Sequence, residues 1–234
     1  MTKTVCSKQI RWTTSLSSEL LSDLEFIAER TMLSNQSIAG ASLINKGVNF
    51  VEKGTLAICI QTPNLKTANC LLVGEGGWFG NYIDDAHSLS SFIMIEIEPC
   101  SIVHFSNQKL TPITRKNNEI FKWFYSLTFE SREKWLQSQI INNANITERI
   151  VYQLIEILAH ISSRNMPVEI AISQQQLSDM TGIARQRVNE VMKELERNRM
   201  VSLHRAKITI NSTEKLARYL DDMDLSIRDP RNII

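Results

Sequence analysis

The sequence predicts an α+β fold with three parts: an N-terminal antiparallel β-roll, a long helix and a C-terminal winged helix-turn-helix. Three observations lead to this prediction. Short β-rich runs separated by Gly and Pro fill residues 32–105, a long stretch without either residue follows Pro112, and two short helical segments flank Gly182. Short strands at regular spacing are typical of a small antiparallel barrel or roll. The predicted boundaries of the three parts are 1–112, 113–143 and 144–234.

The composition of the 234-residue chain is that of an ordinary globular protein, with 43% hydrophobic and 22% charged residues. It excludes collagen-like, disordered and disulfide-stabilised classes. No apolar run reaches the roughly 18 residues of a membrane span, and no signal-peptide pattern opens the chain, so we expect a cytoplasmic protein without a membrane partner. The four cysteines form no Cys-x-x-Cys pair, so we expect neither a metal site nor a cofactor.

Although the net charge of the chain is only +1, one segment forms a local basic patch. Residues 182–210 contain seven Lys and Arg against three Glu, which leaves a local charge of +4. Such a patch is the electrostatic footprint of a module that neutralises phosphates. A solvated helix of mixed charge is the alternative interpretation.

The first predicted element is a short amphipathic helix, because apolar residues recur at helical spacing from Leu20 to Ala28 after serines that can cap it. The β-rich runs come next, at 48–51, 56–60, 70–73, 91–97 and 101–105. Gly54 and Pro99 lie between runs, so we expect strands to end there.

A long helix is predicted after Pro112, ending near Ile141. One stripe of it is formed by Ile120, Phe124, Leu127, Ser131 and Trp135. A helix of about 25 residues spans roughly 37 Å, which is longer than its neighbours. We therefore expect part of its apolar face, with Trp123, Phe124 and Trp135, to contact a second copy of the chain. The alternative is a helix that packs wholly on its own domain.

A hinge is predicted at residues 142–145, where the sequence Asn-Asn-Ala-Asn breaks the helical pattern. Asn145 followed by Glu148 is a helix start signal. The apolar residues from Ile146 to Leu158 then predict the first helix of a second domain.

The most specific motif lies at residues 172–195. Ser173 and Gln176 form a capping box for a short helix, which Gly182 interrupts before a second amphipathic helix begins. Two short helices joined by a tight turn that contains Gly are a helix-turn-helix, whose second helix can enter the DNA major groove. Residues 200–203 and 206–210 predict a β-hairpin, so the unit is a winged helix-turn-helix. A purely structural helical hairpin is the alternative.

The order of β-roll, long helix and winged helix-turn-helix resembles the cyclic-AMP receptor / fumarate–nitrate regulator (Crp/Fnr) family of bacterial transcription factors. The resemblance is strongest at residues 147–155 and 172–195. It implies a homodimer that binds double-stranded DNA, in the form of a palindromic operator, with RNA polymerase as a further partner. The positions that it implies for reading bases are Arg185, Gln186, Asn189 and Glu190. The positions that it implies for contacting backbone phosphates are Ser173, Gln174, Gln175 and Arg187. Lys193 also lies on the outward face.

The N-terminal resemblance rests on residues 51–60, which resemble a strand pair around a Lys-Gly turn, and on residues 75–81, which resemble the approach to a nucleotide-phosphate cassette. It implies an effector pocket around Trp78, Gly80, Asn81, Ser90 and Ser91. The sequence departs from a cyclic-nucleotide binder here, because Asn81 replaces the usual Glu and no Arg-Ser follows. Residues 74–95 contain no Lys or Arg to pair with a phosphate. We therefore expect that cyclic AMP is not the effector.

Other function classes have weaker support. An enzyme would need a nucleophile and a base, for which the candidates are Asp84, Asp85, His87 and either Cys70 or Ser88. No oxyanion-hole motif accompanies them, so we expect no enzyme. A small-molecule-binding module with a structural helix-turn-helix is a second class. A regulator could also respond to a non-nucleotide ligand, to haem on His87 or His104, or to no ligand, although the strand around His104 favours a surface or hydrogen-bonded role.

Overall fold

The computed structural model describes residues 10–33, 43–62, 67–82, 91–162 and 165–234. The chain divides into two compact units. Unit 1 comprises Met1–Leu56 and Val73–Arg132, and unit 2 comprises Ala57–Leu72 and Glu133–Ile234. Within the described ranges, no helix has the length and apolar character needed to cross a bilayer.

Helix α1 (Ser18–Ile27) is the first element of unit 1 and confirms the predicted amphipathic helix. The Ser17 hydroxyl caps it by accepting a hydrogen bond from the Leu20 amide at 3.3 Å. Leu20 and Leu24 are fully buried, because their spacing places them on the inner face.

Five strands form one sheet. They are β1 (Glu29–Met32), β2 (Gly47–Gln61), β3 (Thr67–Val73), β4 (Trp78–Gly80) and β5 (Ser91–Ser106). Their order is β1-β5-β2-β3, with β4 paired to β2. The β1–β5 and β2–β4 pairs are antiparallel, as the sequence predicted for this part of the chain.

Two strands are longer than predicted, since Gly54 lies inside β2 and Pro99 inside β5. Gly54 has a φ of 88°, and a Cβ on it would lie only 2.3 Å from the Pro99 carbonyl oxygen. The glycine therefore allows the two backbones to approach closely without ending the strand. The strand ends expected at both residues, including the Lys-Gly turn, are wrong for this reason.

The core of unit 1 is built from aromatic rings. Trp12, Trp78, Phe105 and Trp123 all contact one another, with ring centroids 5.3 to 6.0 Å apart. Trp123 meets the other three rings edge-on and is fully buried. The expectation that Trp123 contacts a second copy is therefore wrong, because its own unit already encloses it.

Two helices replace the single long helix predicted after Pro112. Helix α2 (Asn107–Lys116) contains Pro112 in its interior, and α3 (Ile120–Ile141) follows a short break. At the break, the Asn117 side-chain oxygen accepts a hydrogen bond from the Glu119 amide at 2.9 Å, which satisfies a donor at the start of α3. The 22 residues of α3 span about 33 Å. Ile120 is fully buried in the core of unit 1 and cannot contact a second copy.

Unit 2 contains most of the remaining elements. They are α4 (Ile146–His160), β6 (Val168–Ile170), α5 (Gln174–Thr181), α6 (Arg185–Arg197), β7 (Val201–His204), β8 (Lys207–Ile210) and α7 (Thr213–Ala217). Residues 142–145 separate α3 from α4, and the capping box of Asn145 and Glu148 is present as predicted. The three strands form an antiparallel sheet in the order β6-β8-β7. The sequence did not predict β6, because three residues are too short to show a period.

Candidate nucleic-acid interface

Helices α5 and α6 form a helix-turn-helix in unit 2. The Ser173 hydroxyl accepts a hydrogen bond from the Gln176 amide at 3.1 Å, and the Gln176 side chain accepts one from the Ser173 amide at 2.8 Å. Helix α5 ends at Gly182, whose φ of 65° is left-handed. The Ser178 hydroxyl then donates to the Ile183 carbonyl oxygen at 2.6 Å. The predicted capping box and glycine turn are confirmed.

Helix α6 has one buried and one exposed face. The buried face is aliphatic and consists of Val188, Val191, Met192 and Leu195. The structure places the predicted DNA-contact residues of this helix together on the other face. Arg185, Gln186, Arg187, Glu190 and Lys193 are exposed, and Asn189 is half-buried.

Glu190 organises this exposed face. Its carboxylate accepts a hydrogen bond from Arg187 at 2.8 Å and a longer one from Gln186 at 3.4 Å. Both members of the Arg187–Glu190 pair are more than 45% exposed, at 64% and 47%. A pair that is so open to water contributes at most about 1 kcal/mol, so DNA groups can replace it at little cost.

The N-terminus of α6 differs from the starts of α4 and α5. Its N-cap residue is Ala184, and among the described residues no side chain caps its first amides and no acidic residue lies in its first turn. The positive end of the helix dipole and these amide donors therefore remain available to an external anion. Sequence reasoning missed this feature, although an alanine at an N-cap position is a signal that could have indicated it.

The three phosphate-contact candidates of α5 have different surroundings. The half-buried Ser173 hydroxyl already serves the capping box, and it also donates to Gln176 at 3.0 Å. Gln174 is half-buried, whereas the exposed Gln175 donates to Asp179 at 2.9 Å. Gln175 is therefore the most accessible of the three.

The predicted wing is confirmed. Strands β7 and β8 pair through Leu203↔Ile208 and His204↔Lys207, with a two-residue turn between them. Arg205 in this turn is exposed and carries positive charge at the tip of the wing. Lys207, next to the turn, pairs with Glu169 of β6 at 2.6 Å, which connects the wing to the third strand.

Of the effector-pocket residues predicted from the sequence, the structure describes Trp78, Gly80 and Asn81. Trp78 is buried in the aromatic core, and its indole N–H donates to the Arg11 carbonyl oxygen at 2.9 Å. Gly80 pairs with Val48 in the sheet, and a Cβ there would lie 2.3 Å from the Gly47 carbonyl oxygen. Asn81 is exposed. Ser90 and the side chain of Ser91 lie outside the described residues.

His104 is a buried residue of β5. Its Nδ1 lies 2.8 Å from the Asn49 side-chain oxygen, in a hydrogen bond. Burial lowers the pKa of His104 below its ordinary value of 6.5. His104 thus has the hydrogen-bonded role that the sequence favoured as one of two alternatives.

The enzyme candidates fall mainly outside the described residues, since Asp84, Asp85, His87 and Ser88 all lie there. Cys70 is described, and its thiol is hydrogen-bonded to Cys59 and receives a hydrogen bond from Gln153 at 3.9 Å. The contact with Cys59, together with burial, raises the pKa of Cys70 well above 9.0. A thiol that resists ionisation is a poor nucleophile. In the described ranges, no cluster of three or more His, Cys, Asp or Glu could hold a metal ion.

Comparison with known proteins agrees with this fold and site. Residues 148–219 match the Crp-like helix-turn-helix domain. The cAMP-activated global transcriptional regulator CRP of Pasteurella multocida is 24% identical over 170 residues, which cover 70% of this chain and 80% of that protein. Solved structures that share the fold include two bacterial regulators. A transcriptional regulator of the Crp/Fnr family from Eubacterium rectale has a TM-score of 0.67 and 12% identity, covering 87% of this chain and 94% of its own. The c-di-GMP responsive global regulator CLP of Xanthomonas campestris has a TM-score of 0.61 and 15% identity, covering 84% and 100%. The matched domain, the relatives and the shared fold together support the resemblance read from the motifs: residues 148–219 form a Crp-like helix-turn-helix domain, in a chain that has the fold of Crp/Fnr transcription regulators.

Proposed function

We propose that the protein is a homodimeric regulator that acts in the cytoplasm and reads a palindromic operator with helix α6. The observation that carries this proposal is the exposed polar face of α6, in a helix-turn-helix whose first helix, α5, starts with a capping box. A fold of this kind places its second helix in the major groove.

The side chains of α6 have the chemistry that base reading requires. Arg185 can bind guanine through two hydrogen bonds, and Gln186 and Asn189 can do the same with adenine. Glu190 can accept a hydrogen bond from cytosine N4. The remaining cations, Arg187 and Lys193, suit phosphates, as do the uncapped amides that follow Ala184.

The dimer contact is supported by an aromatic stripe on α3. Its members lie on one face of the helix and expose 42% to 67% of their surface: Phe121, Tyr125, Phe129 and Leu136. The stripe predicted from the sequence is rotated away from this face, since Phe124 and Leu127 pack against the core of unit 1. A contiguous apolar face in water usually marks a protein interface. We place the two-fold contact here, so that two α6 helices can reach half-sites about 34 Å apart.

The effector of this protein is proposed to differ from cyclic AMP, although the relative from Pasteurella multocida is described as cAMP-activated. The β-roll segment 74–95 contains no Lys or Arg, so it offers no cation to a bound phosphate. Burying an unpaired anion costs several kcal/mol. Trp78, near the start of this segment, is buried in the hydrophobic core of unit 1 instead. A non-nucleotide ligand, or no ligand, is the second candidate.

The DNA-binding proposal is tested by selecting duplexes from a randomised pool with the whole chain. Fluorescence anisotropy then measures affinity for the selected and scrambled sequences between 50 and 200 mM salt, a range over which about six to ten phosphate contacts change affinity by roughly 10³ to 10⁵. We expect a palindromic selection and a steep salt dependence. Equal affinity for both sequences with a shallow slope would instead support a small-molecule-binding module with a structural helix-turn-helix.

Two further experiments address the signal and the partner. Isothermal titration with cyclic AMP and cyclic GMP at millimolar concentration should show no binding. A micromolar Kd, accompanied by tighter DNA binding, would contradict the proposal on the effector. In vitro transcription from a promoter that carries the selected palindrome tests RNA polymerase as a partner and gives the sign of regulation.

A further inference from the structure

Helix α4 is enclosed on every side. Ten consecutive residues, Ile150–Ala159, are buried, and they include the polar Gln153 and Glu156. A helix of this kind needs cover from several elements. Residues 221–234, here named the strap segment, pack against one part of α4. They contact it through the 3-10 turn Pro230–Asn232. The matched helix-turn-helix domain ends at residue 219, so the strap segment lies beyond it.

Arg228 of the strap segment pairs with Glu156 of α4. Its Nε and Nη2 donate to the same carboxylate oxygen at 3.2 and 3.0 Å. The two side chains are 15% and 8% exposed, so water screens the pair little. The other oxygen of Glu156 has no hydrogen-bond partner among the described residues. The buried charge of Glu156 therefore depends on Arg228.

The strap segment also holds the last part of α3. Gln137 is fully buried, and its amide donates to the Asp224 carbonyl oxygen at 2.7 Å. Its side-chain oxygen accepts a hydrogen bond from the Arg228 backbone amide at 3.1 Å. Arg228 thus binds α3 with its backbone and α4 with its side chain. These two helices are the ones that residues 142–145 join.

The strap segment is itself held in shape by ion pairs. Asp229 caps the 3-10 turn, accepting a hydrogen bond from the Arg231 amide at 2.9 Å. The Arg231 guanidinium pairs with Asp229 and with Asp221, both at 2.8 Å. Contact with Arg231 also lowers the pKa of Asp229. A segment fixed at both ends can transmit a constraint from one helix to the other.

We propose that the strap segment is a conformational brace, which fixes the angle between the end of α3 and α4 and holds the hinge at residues 142–145 in one conformation. Within unit 2, the angle between the end of α3 and α4 is then set by residues outside the matched helix-turn-helix domain. This device needs no effector, because all its contacts form within the chain.

Hydrogen exchange of the whole chain, followed by mass spectrometry, tests the brace without DNA. The amides of residues 142–144 are the reporters, because each donates to a carbonyl of α3 at 3.0 to 3.2 Å. Two variants release the brace in different ways. Gln137→Leu removes both hydrogen bonds, and the double variant Glu156→Gln/Arg228→Met removes the ion pair without leaving a lone buried charge. Arg218→Ala is the matched control, because it removes an ion pair that is 69% and 78% exposed.

We expect the reporter amides to exchange at least tenfold faster in both variants, with α5 and α6 as protected as in the parent chain and in the control. Hinge exchange within twofold of the parent in a folded variant would overturn the proposal. Faster exchange throughout unit 2 would also overturn it, because the segment would then be merely part of the core. If Gln137→Leu does not fold, the double variant Glu156→Gln/Arg228→Met alone tests the proposal.

Discussion

Helices α3 and α6 each display a face that the rest of the described chain leaves open, and the two faces have opposite chemistry. The face of α3 is aromatic, with Phe121, Tyr125 and Phe129 between 48% and 67% exposed. The face of α6 is polar and cationic, and its Arg187 and Glu190 pair with each other. Water stabilises the second face and not the first. The difference teaches why we propose a protein partner for α3 and an anionic partner for α6, which can remain solvated until that partner binds.

The largest effect is expected from a charge placed on the aromatic face of α3. Tyr125→Glu would put two carboxylates near the two-fold axis, among apolar rings. We expect the dimer dissociation constant to rise at least about 100-fold, or about 3 kcal/mol, with a parallel loss of affinity for a palindrome. Sedimentation equilibrium over a concentration series measures this. Glu130→Gln, on the other side of the helix, should leave the dimer intact, and an unchanged dimer in Tyr125→Glu would place the contact elsewhere.

Substitutions on α6 should separate base reading from phosphate binding. We expect Arg185→Ala to cost roughly 1–3 kcal/mol of discrimination at one base pair. Arg187→Ala should weaken binding to all sequences about equally, because a phosphate contact carries no sequence information. Competition assays with single-base variants of the operator measure both. An unchanged specificity ratio in Arg185→Ala would show that α6 docks differently from this proposal.

Acidic pH should lower the free energy of unfolding of unit 2, which contains α6. His160 accepts a hydrogen bond from Lys134 at Nε2, and its Nδ1 lies 2.8 Å from the Glu156 carbonyl oxygen. Burial, with the positive charges of Lys134 and Arg228, lowers the pKa of His160 from 6.5 to about 3. Below pH 6.5 the imidazole of His160 therefore binds a proton in the unfolded chain but stays neutral in the folded chain. The contribution of His160 to the free energy of unfolding is complete above pH 6.5 and is lost as the pH falls.

We expect the free energy of unfolding to drop by about 2 kcal/mol between pH 7 and pH 5 through this residue. Urea denaturation followed by circular dichroism measures the drop, and His160→Gln isolates it from the titration of the other histidines. Equal pH dependence in the variant and the parent would contradict a lowered pKa of His160 in the folded chain.

The smallest effect is expected in the wing. Ala206 has a φ of 56°, which costs a residue with a side chain roughly 1 kcal/mol. Ala206→Gly removes this strain but adds freedom to the unfolded chain, so we expect a net gain of about 0.5 kcal/mol. Thermal denaturation measures it. Base specificity should stay the same, because α6 is untouched; a change in specificity would give the wing tip a part in base reading.

The helix-turn-helix could be predicted from sequence because its signals are local. A capping box spans four residues, Gly182 supplies a left-handed turn by itself, and the apolar spacing of α6 leaves one inner face. These features need no distant partner to be recognised. The same holds for α1 and for the capping box at the start of α4.

Other features depended on tertiary contacts. Helix α3 carries apolar or aromatic residues on almost every side of its first turns, so its periodicity cannot say which stripe faces inward. The rings of Trp12, Trp78 and Phe105 decide this by enclosing Trp123 and leaving Tyr125 outside. The strands around Gly54 and Pro99 likewise continue because pairing between β2 and β5 overrides local turn signals.

The sequence by itself determined the class of the protein and the exposed face of α6 that we propose for DNA binding, because both are recorded in residues within a few positions of one another. Only the tertiary structure decided the orientation of α3 and the attachment of the strap segment. The contacts of Gln137 with Asp224 and Arg228 join residues 87 and 91 positions apart. No local pattern records such a pairing, since the loss of chain entropy on joining distant residues is recovered only when the whole core forms around them.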